Sequence, residues 1–104
     1  MQKPETVFRQ NIVIPFLKTL PFTKFMTIQQ VAIHGDPDLV LCIRGHYVEL
    51  ELKSQFGEVS ALQRYKMDLT RKARGTALVA SPQTWDAVKI KLLNIANGEH
   101  TYDD

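Results

Sequence analysis

Cysteine is nearly missing from this 104-residue chain, and long apolar runs are missing altogether. The single Cys42 excludes an intrachain disulfide framework and fits a reducing compartment. With apolar residues at alternate positions around it, it reads as structural rather than reactive. No apolar stretch approaches the roughly 20 residues needed to span a bilayer. The N-terminus also lacks the cationic start, apolar run and small-residue cleavage site of a secretory signal, so a cytoplasmic location and no membrane partner are expected. There is no internal repeat, low-complexity stretch or linker. Charge of one sign is scarce too: a formal net charge of +2 does not by itself mark a nucleic-acid binder.

What is present is enough for one ordinary core. A hydrophobic content of 44% over this length predicts a single domain spanning 1–104, with a polar tail from about residue 97. Domains this short bury a modest share of their unfolded surface, so a homo-oligomer would add stability. The charges that do occur are segregated. Arg64, Lys66, Arg71, Lys72 and Arg74 stand against one acid, Asp68, whereas Asp36, Asp38, Glu49 and Glu51 crowd together upstream.

Residues 5–20 place Val7, Phe8, Ile12, Phe16, Leu17 and Leu20 at helical spacing, with Pro15 predicting a kink or a break. Residues 24–33 read as a strand. Residues 38–43 and 46–53 read as a β-hairpin turning on Arg44-Gly45. With those two residues as the loop, Ile43 faces His46, Val40 faces Glu49 and Asp38 faces Glu51. Alternation then puts Glu49, Glu51 and Lys53 on one face, and Val48, Leu50 and Leu52 on the other with Leu39, Leu41 and Ile43. Carboxylates opposed across a sheet repel. A divalent cation is the natural compensation.

Ser60 predicts the N-cap of a helix running to about residue 73, with Gly75 at the left-handed C-terminal position. Residues 76–80 read as a short buried strand. Ser81-Pro82 predicts the start of a last helix carrying Trp85, Val88, Leu92 and Ile95 on one stripe. Trp85 and the phenylalanines at 8, 16, 22 and 25 read as core or interface residues. The expected fold is α/β: a mixed sheet with a central hairpin flanked by helices, in the order αβββαβ plus a C-terminal helix.

Phosphodiester hydrolysis needs positive charge near the phosphorane, an activated water and help for the leaving oxygen. Asp38 and Glu51 suit a hard cation, and Lys53 projects to the same side. Pro37-Asp38, a hairpin, and then Glu51-Leu52-Lys53 resemble the PD-(D/E)xK signature of restriction-endonuclease-like nucleases. Together with Gly35-Asp36, the Gly45 turn, Ser60-Ala61-Leu62-Gln63-Arg64-Tyr65 and Gly75-Thr76-Ala77-Leu78-Val79, they resemble the small stand-alone VRR-Nuc domains of phages and bacteria, over roughly residues 5–95.

The resemblance implies a restriction-endonuclease-like core and a metal-dependent DNA endonuclease using Mg²⁺ or Mn²⁺. It implies Asp38, Glu51 and the Leu52 carbonyl as metal ligands, Glu5 as a further acid from the first helix, Lys53 as catalytic base, and Gln63 in support. It further implies a homodimer acting on branched DNA such as Holliday junctions, located in the host cytoplasm if phage-encoded. The basic residues Arg64, Lys66, Arg71, Lys72 and Arg74 are then the candidate DNA-binding surface.

Other readings stay open. Glu49 holds a second metal or a water, or is an exposed strand-end acid. Asp36 is a turn residue or a further acid, and His34 touches phosphate or metal or is a loop residue. A catalytically silent DNA-binding module and an interaction subunit with the same fold are the alternative functions.

Overall fold

The computed structural model describes residues 4–28, 37–54 and 59–99. They form an α/β architecture: a four-stranded mixed sheet in the order β1-β2-β3-β4, with helices on both faces. The elements are α1 (Pro4–Phe8), a π-helical turn (Arg9–Val13), α2 (Ile14–Leu17), β1 (Thr23–Thr27), β2 (Leu39–Ile43), β3 (His46–Leu52), α3 (Ala61–Lys72), β4 (Thr76–Ala80) and α4 (Trp85–Ala96). β1, β2 and β3 are antiparallel neighbours, and β4 lies parallel to β3 after the α3 crossover. No helix among the described residues is long and apolar enough to cross a membrane.

The expected kink is a π-helical turn rather than a bend at the proline itself. The Ile14 N–H donates to the Arg9 carbonyl, five residues back, and Pro15 then enters the first turn of α2. Proline has no N–H to give the preceding turn and its ring collides with the carbonyl four residues earlier, so widening the ladder just before it relieves both.

The hairpin turns as its sequence predicts. Arg44 and Gly45 have φ of 51° and 82°, the left-handed pair that a two-residue turn requires. Its register runs from Ile43↔His46 through Val40↔Glu49 to Leu39↔Leu50. Leu39, Leu41, Ile43, Val48, Leu50 and Leu52 are all buried and pack with Leu17, Trp85 and Leu92 from α2 and α4. Phe8 and Phe16 both meet the Trp85 ring edge-on, at 5.8 Å and 5.5 Å between centroids. Phe22 is not part of this core. It is exposed, beneath the Arg44 guanidinium.

α3 covers the opposite face only over β3 and β4, where Met67 sits beside Ala77. Cys42 is therefore exposed. Its inward neighbours Leu41 and Ile43 force it to the other face, and nothing described covers that face at β2.

Some boundaries differ from the sequence reading. β1 ends at Thr27, with the Ile28 N–H still bonded to the Asp38 carbonyl, and residues 29–33 lie outside the described set together with His34 and Asp36. The left-handed residue after α3 is Arg74, φ 73°, not Gly75. α4 begins at Trp85 because Ser81 and Thr84 first bond to each other in a turn through Pro82. Of the expected tail, 97–99 close α4, and the rest lies outside the described set.

Candidate active site

Glu51 is the fixed point of the site. It lies near the end of β3 and points to the α3 face, yet is only 6% exposed because α3 begins directly over it. Serine at position 60 starts that helix with a reciprocal cap. The Ser60 hydroxyl accepts the Gln63 N–H at 3.1 Å, and the Gln63 side-chain oxygen accepts the Ser60 N–H at 2.9 Å. Because its oxygen is committed to the cap, the amide can turn only Nε2 toward the strand. That nitrogen donates to Glu51 Oε1 at 2.8 Å. Lys53, two residues on and half-buried, reaches the same oxygen, with Nζ at 3.8 Å.

Asp38 joins them, but not as the cross-strand partner of Glu51. The ladder stops at Leu39↔Leu50, and the Asp38 N–H instead donates to the Leu50 carbonyl at 3.1 Å. One Asp38 carboxylate oxygen accepts the Leu52 N–H at 2.7 Å. Asp38 thus bridges Leu50 and Leu52 across Glu51. The carboxylates are neighbours because Asp38 steps off the strand, not because the register continues.

Glu5 reaches the same place from α1, its Oε1 lying 3.4 Å from the Ser54 N–H. Burial drives the Glu51 pKa up to about 8; the Asp38 charge and a hydrogen bond with Asp38 add to the rise, Lys53 opposes it, and Glu5 adds further. Acids from two other segments, Asp38 and Glu5, therefore both act on Glu51.

The donor set fits a hard divalent cation. A carboxyl that holds its proton because it is buried, and because a second carboxylate crowds it, is relieved when a cation replaces that proton. Among the described residues no three His, Cys, Asp or Glu side chains group as a cage for a metal. The donors suit an ion such as Mg²⁺ that keeps several of its own waters. Glu5 stands close enough to raise the Glu51 pKa without completing a side-chain cage.

Lys66 projects about 160° from Arg64 around α3, whereas Arg71 lies about 20° and Lys72 about 80° from it. Arg71 donates to the Ala77 carbonyl at 2.8 Å and pairs with Asp68 at 3.4 Å, tying α3 to β4. Arg64 and Lys72 are exposed on α3, and Arg74 is exposed at the turn beyond it.

One pair beside the site is not singled out by the sequence reading: the Tyr47 hydroxyl donates to Glu49 Oε2 at 2.5 Å. Its signal was the spacing of two along the strand that carries Glu51. No protein-family model matches the chain, and comparisons with curated proteins and with solved structures return no match.

Proposed function

We propose that this chain is a metal-dependent DNA endonuclease of the PD-(D/E)xK type, with a restriction-endonuclease-like core of the VRR-Nuc kind. The observation that carries this reading is the convergence of Asp38, Lys53 and Gln63 on a buried Glu51. Asp38, Glu51 and the Leu52 carbonyl, with Glu5 at the margin, would hold Mg²⁺ or Mn²⁺, which when bound supplies Lewis-acid stabilisation of the charge developing on the phosphate.

The chain's own groups do the rest. Lys53 lies beside Glu51, where its Nζ orients the attacking water; by the resemblance it is the catalytic base, taking the water's proton when it stands as the neutral amine. Gln63 holds the Glu51 carboxylate in place through a donor that the helix cap prevents from flipping. Asp38 fixes the Leu50–Leu52 peptides against which the water and phosphate are set. The substrate proposed is branched DNA, cut by a homodimer whose two equivalent sites nick two strands of a symmetric junction.

A cleavage panel tests this, with Mg²⁺, Mn²⁺ and Ca²⁺ on linear duplex, single-stranded, flapped and four-way DNA. The expected result is cleavage of the four-way substrate with Mg²⁺ or Mn²⁺. Lys53→Ala is expected to lose at least about a hundredfold in rate while retaining DNA binding, and Glu51→Gln to lose metal binding as well. Near-normal cleavage by both variants sinks the site assignment. Salt-dependent DNA binding with no cleavage of any substrate replaces the reading by a silent DNA-binding module.

A further inference from the structure

On the face that carries Glu51, β3 also presents Glu49 and Tyr47. α3 runs antiparallel to β3 above them: Gln63 in its first turn touches Glu51, and Leu69, Thr70 and Ala73 at its other end stand over Tyr47. Between strand and helix is an open cleft of about 570 Å³, within the range of small-ligand sites, lined also by Gly45, His46, Glu49, Arg74 and Gly75. The cleft lies on the same strand face as the candidate active site and just beyond it.

Two details show a shaped wall. The Tyr47 ring is 46% exposed, with its hydroxyl bonded to Glu49 and its edge held by the turn after α3. A Cβ at Gly75 would stand 3.0 Å from Tyr47 Cδ2 and 2.9 Å from Thr70 Cγ2, so only glycine lets the chain pass so close. Arg74, immediately before it, is forced into the left-handed region that a glycine would ordinarily occupy.

We propose that this cleft is a subsite for an unpaired, amino-bearing base such as cytosine on the strand cut at Glu51; the assignment of the strand rests on the nuclease reading. Along β3, Glu49 is about 7 Å and Tyr47 about 13 Å from Glu51. That spans two to four nucleotides at roughly 3.4 Å of rise each. The exposed tyrosine face offers a stacking platform. The Glu49 carboxylate repels a phosphate but accepts from the exocyclic amino group of cytosine, whereas thymine turns a carbonyl oxygen toward it. A base stacked within a duplex does not enter such a cleft, so the substrate must carry unpaired nucleotides there.

Two experiments on the full chain test this. In an NMR titration with deoxycytidine or thymidine, without phosphate or metal, deoxycytidine is expected to shift the amides of Tyr47, Glu49 and Gly75 more than thymidine does. Equal shifts, or shifts elsewhere only, overturn the subsite. In cleavage assays on substrates with unpaired C or T two to four nucleotides from the cut, the C substrate is expected to have the lower KM. Tyr47→Ala is expected to raise KM about thirtyfold with kcat retained, a middle value for losing one base–aromatic stack. Tyr47→Phe, which keeps the ring, is expected to restore most of it. Glu49→Gln is expected to abolish the preference for C, since an amide can both accept and donate. A wild-type preference for C that survives in Glu49→Gln overturns the role of Glu49. If no substrate is cut, the nuclease reading fails, and the nucleoside titration still decides whether the cleft takes a base.

Discussion

Glu51 keeps its proton to about pH 8, whereas an unperturbed glutamate loses it near 4.5. Between those values the folded chain binds more protons than the unfolded one, so this group's contribution to stability is full below about pH 4.5 and is lost as pH rises through about 8. Thermal denaturation of the metal-free protein is expected to show the midpoint falling across this window. Mg²⁺ should raise it most at the alkaline end, where no proton competes for the site. Glu51→Gln should flatten the profile, and an unchanged slope in that variant would place the titration on another group. The spacing of Glu51 and Lys53 along one strand face was plain from the residues. That Asp38 leaves the ladder before reaching Glu51 was not, because the step depends on the Leu50 carbonyl and the Leu52 N–H, which look the same in any sequence.

Among the elements, the hairpin and α3 were the most legible, since each is determined by local chemistry: a left-handed pair at Arg44-Gly45 and a reciprocal cap at Ser60 and Gln63. The end of α3 was misread for a physical reason. Gly75 carries the compositional mark of a left-handed cap, yet it is kept small by Tyr47 and Thr70 from elsewhere in the fold, and Arg74 takes the strained turn instead. Two substitutions separate these roles by chemical denaturation. Gly75→Ala is expected to destabilise by about 1–3 kcal/mol through overpacking. Arg74→Gly is expected to be neutral or to stabilise by up to about 1 kcal/mol, by relieving its positive φ. Greater harm from Arg74→Gly than from Gly75→Ala would reverse the assignment. The exposure of Cys42 likewise depends on where α3 stops short across the sheet, which alternation along β2 does not state.

For the whole molecule, the core and the site lie on opposite faces of one sheet. Trp85→Ala removes the ring on which Phe8 and Phe16 converge. It is expected to cost about 3–5 kcal/mol, while the variant, where still folded, keeps cleavage within a fewfold when assayed at low temperature. A collapse of activity at full native occupancy would mean that the two faces are coupled. The site itself gathers Glu5, Asp38, Glu51, Lys53 and Gln63 from segments far apart in the chain, so it exists only when α1, the hairpin and α3 are all in place. The cap that begins α3 has a consequence for which other chains can share this chemistry. A reciprocal cap accepts either glutamate or glutamine at its third position. Here that side chain also faces an acid already crowded by two others, so glutamate would keep the helix start and bring a fourth carboxyl group into the site. Gln63→Glu should therefore leave the α3 cap intact by circular dichroism while raising the divalent-ion concentration needed for half-maximal activity. A relative recognised by its capping pattern but carrying glutamate at this position would have to hold the acid at the place of Glu51 in some other way.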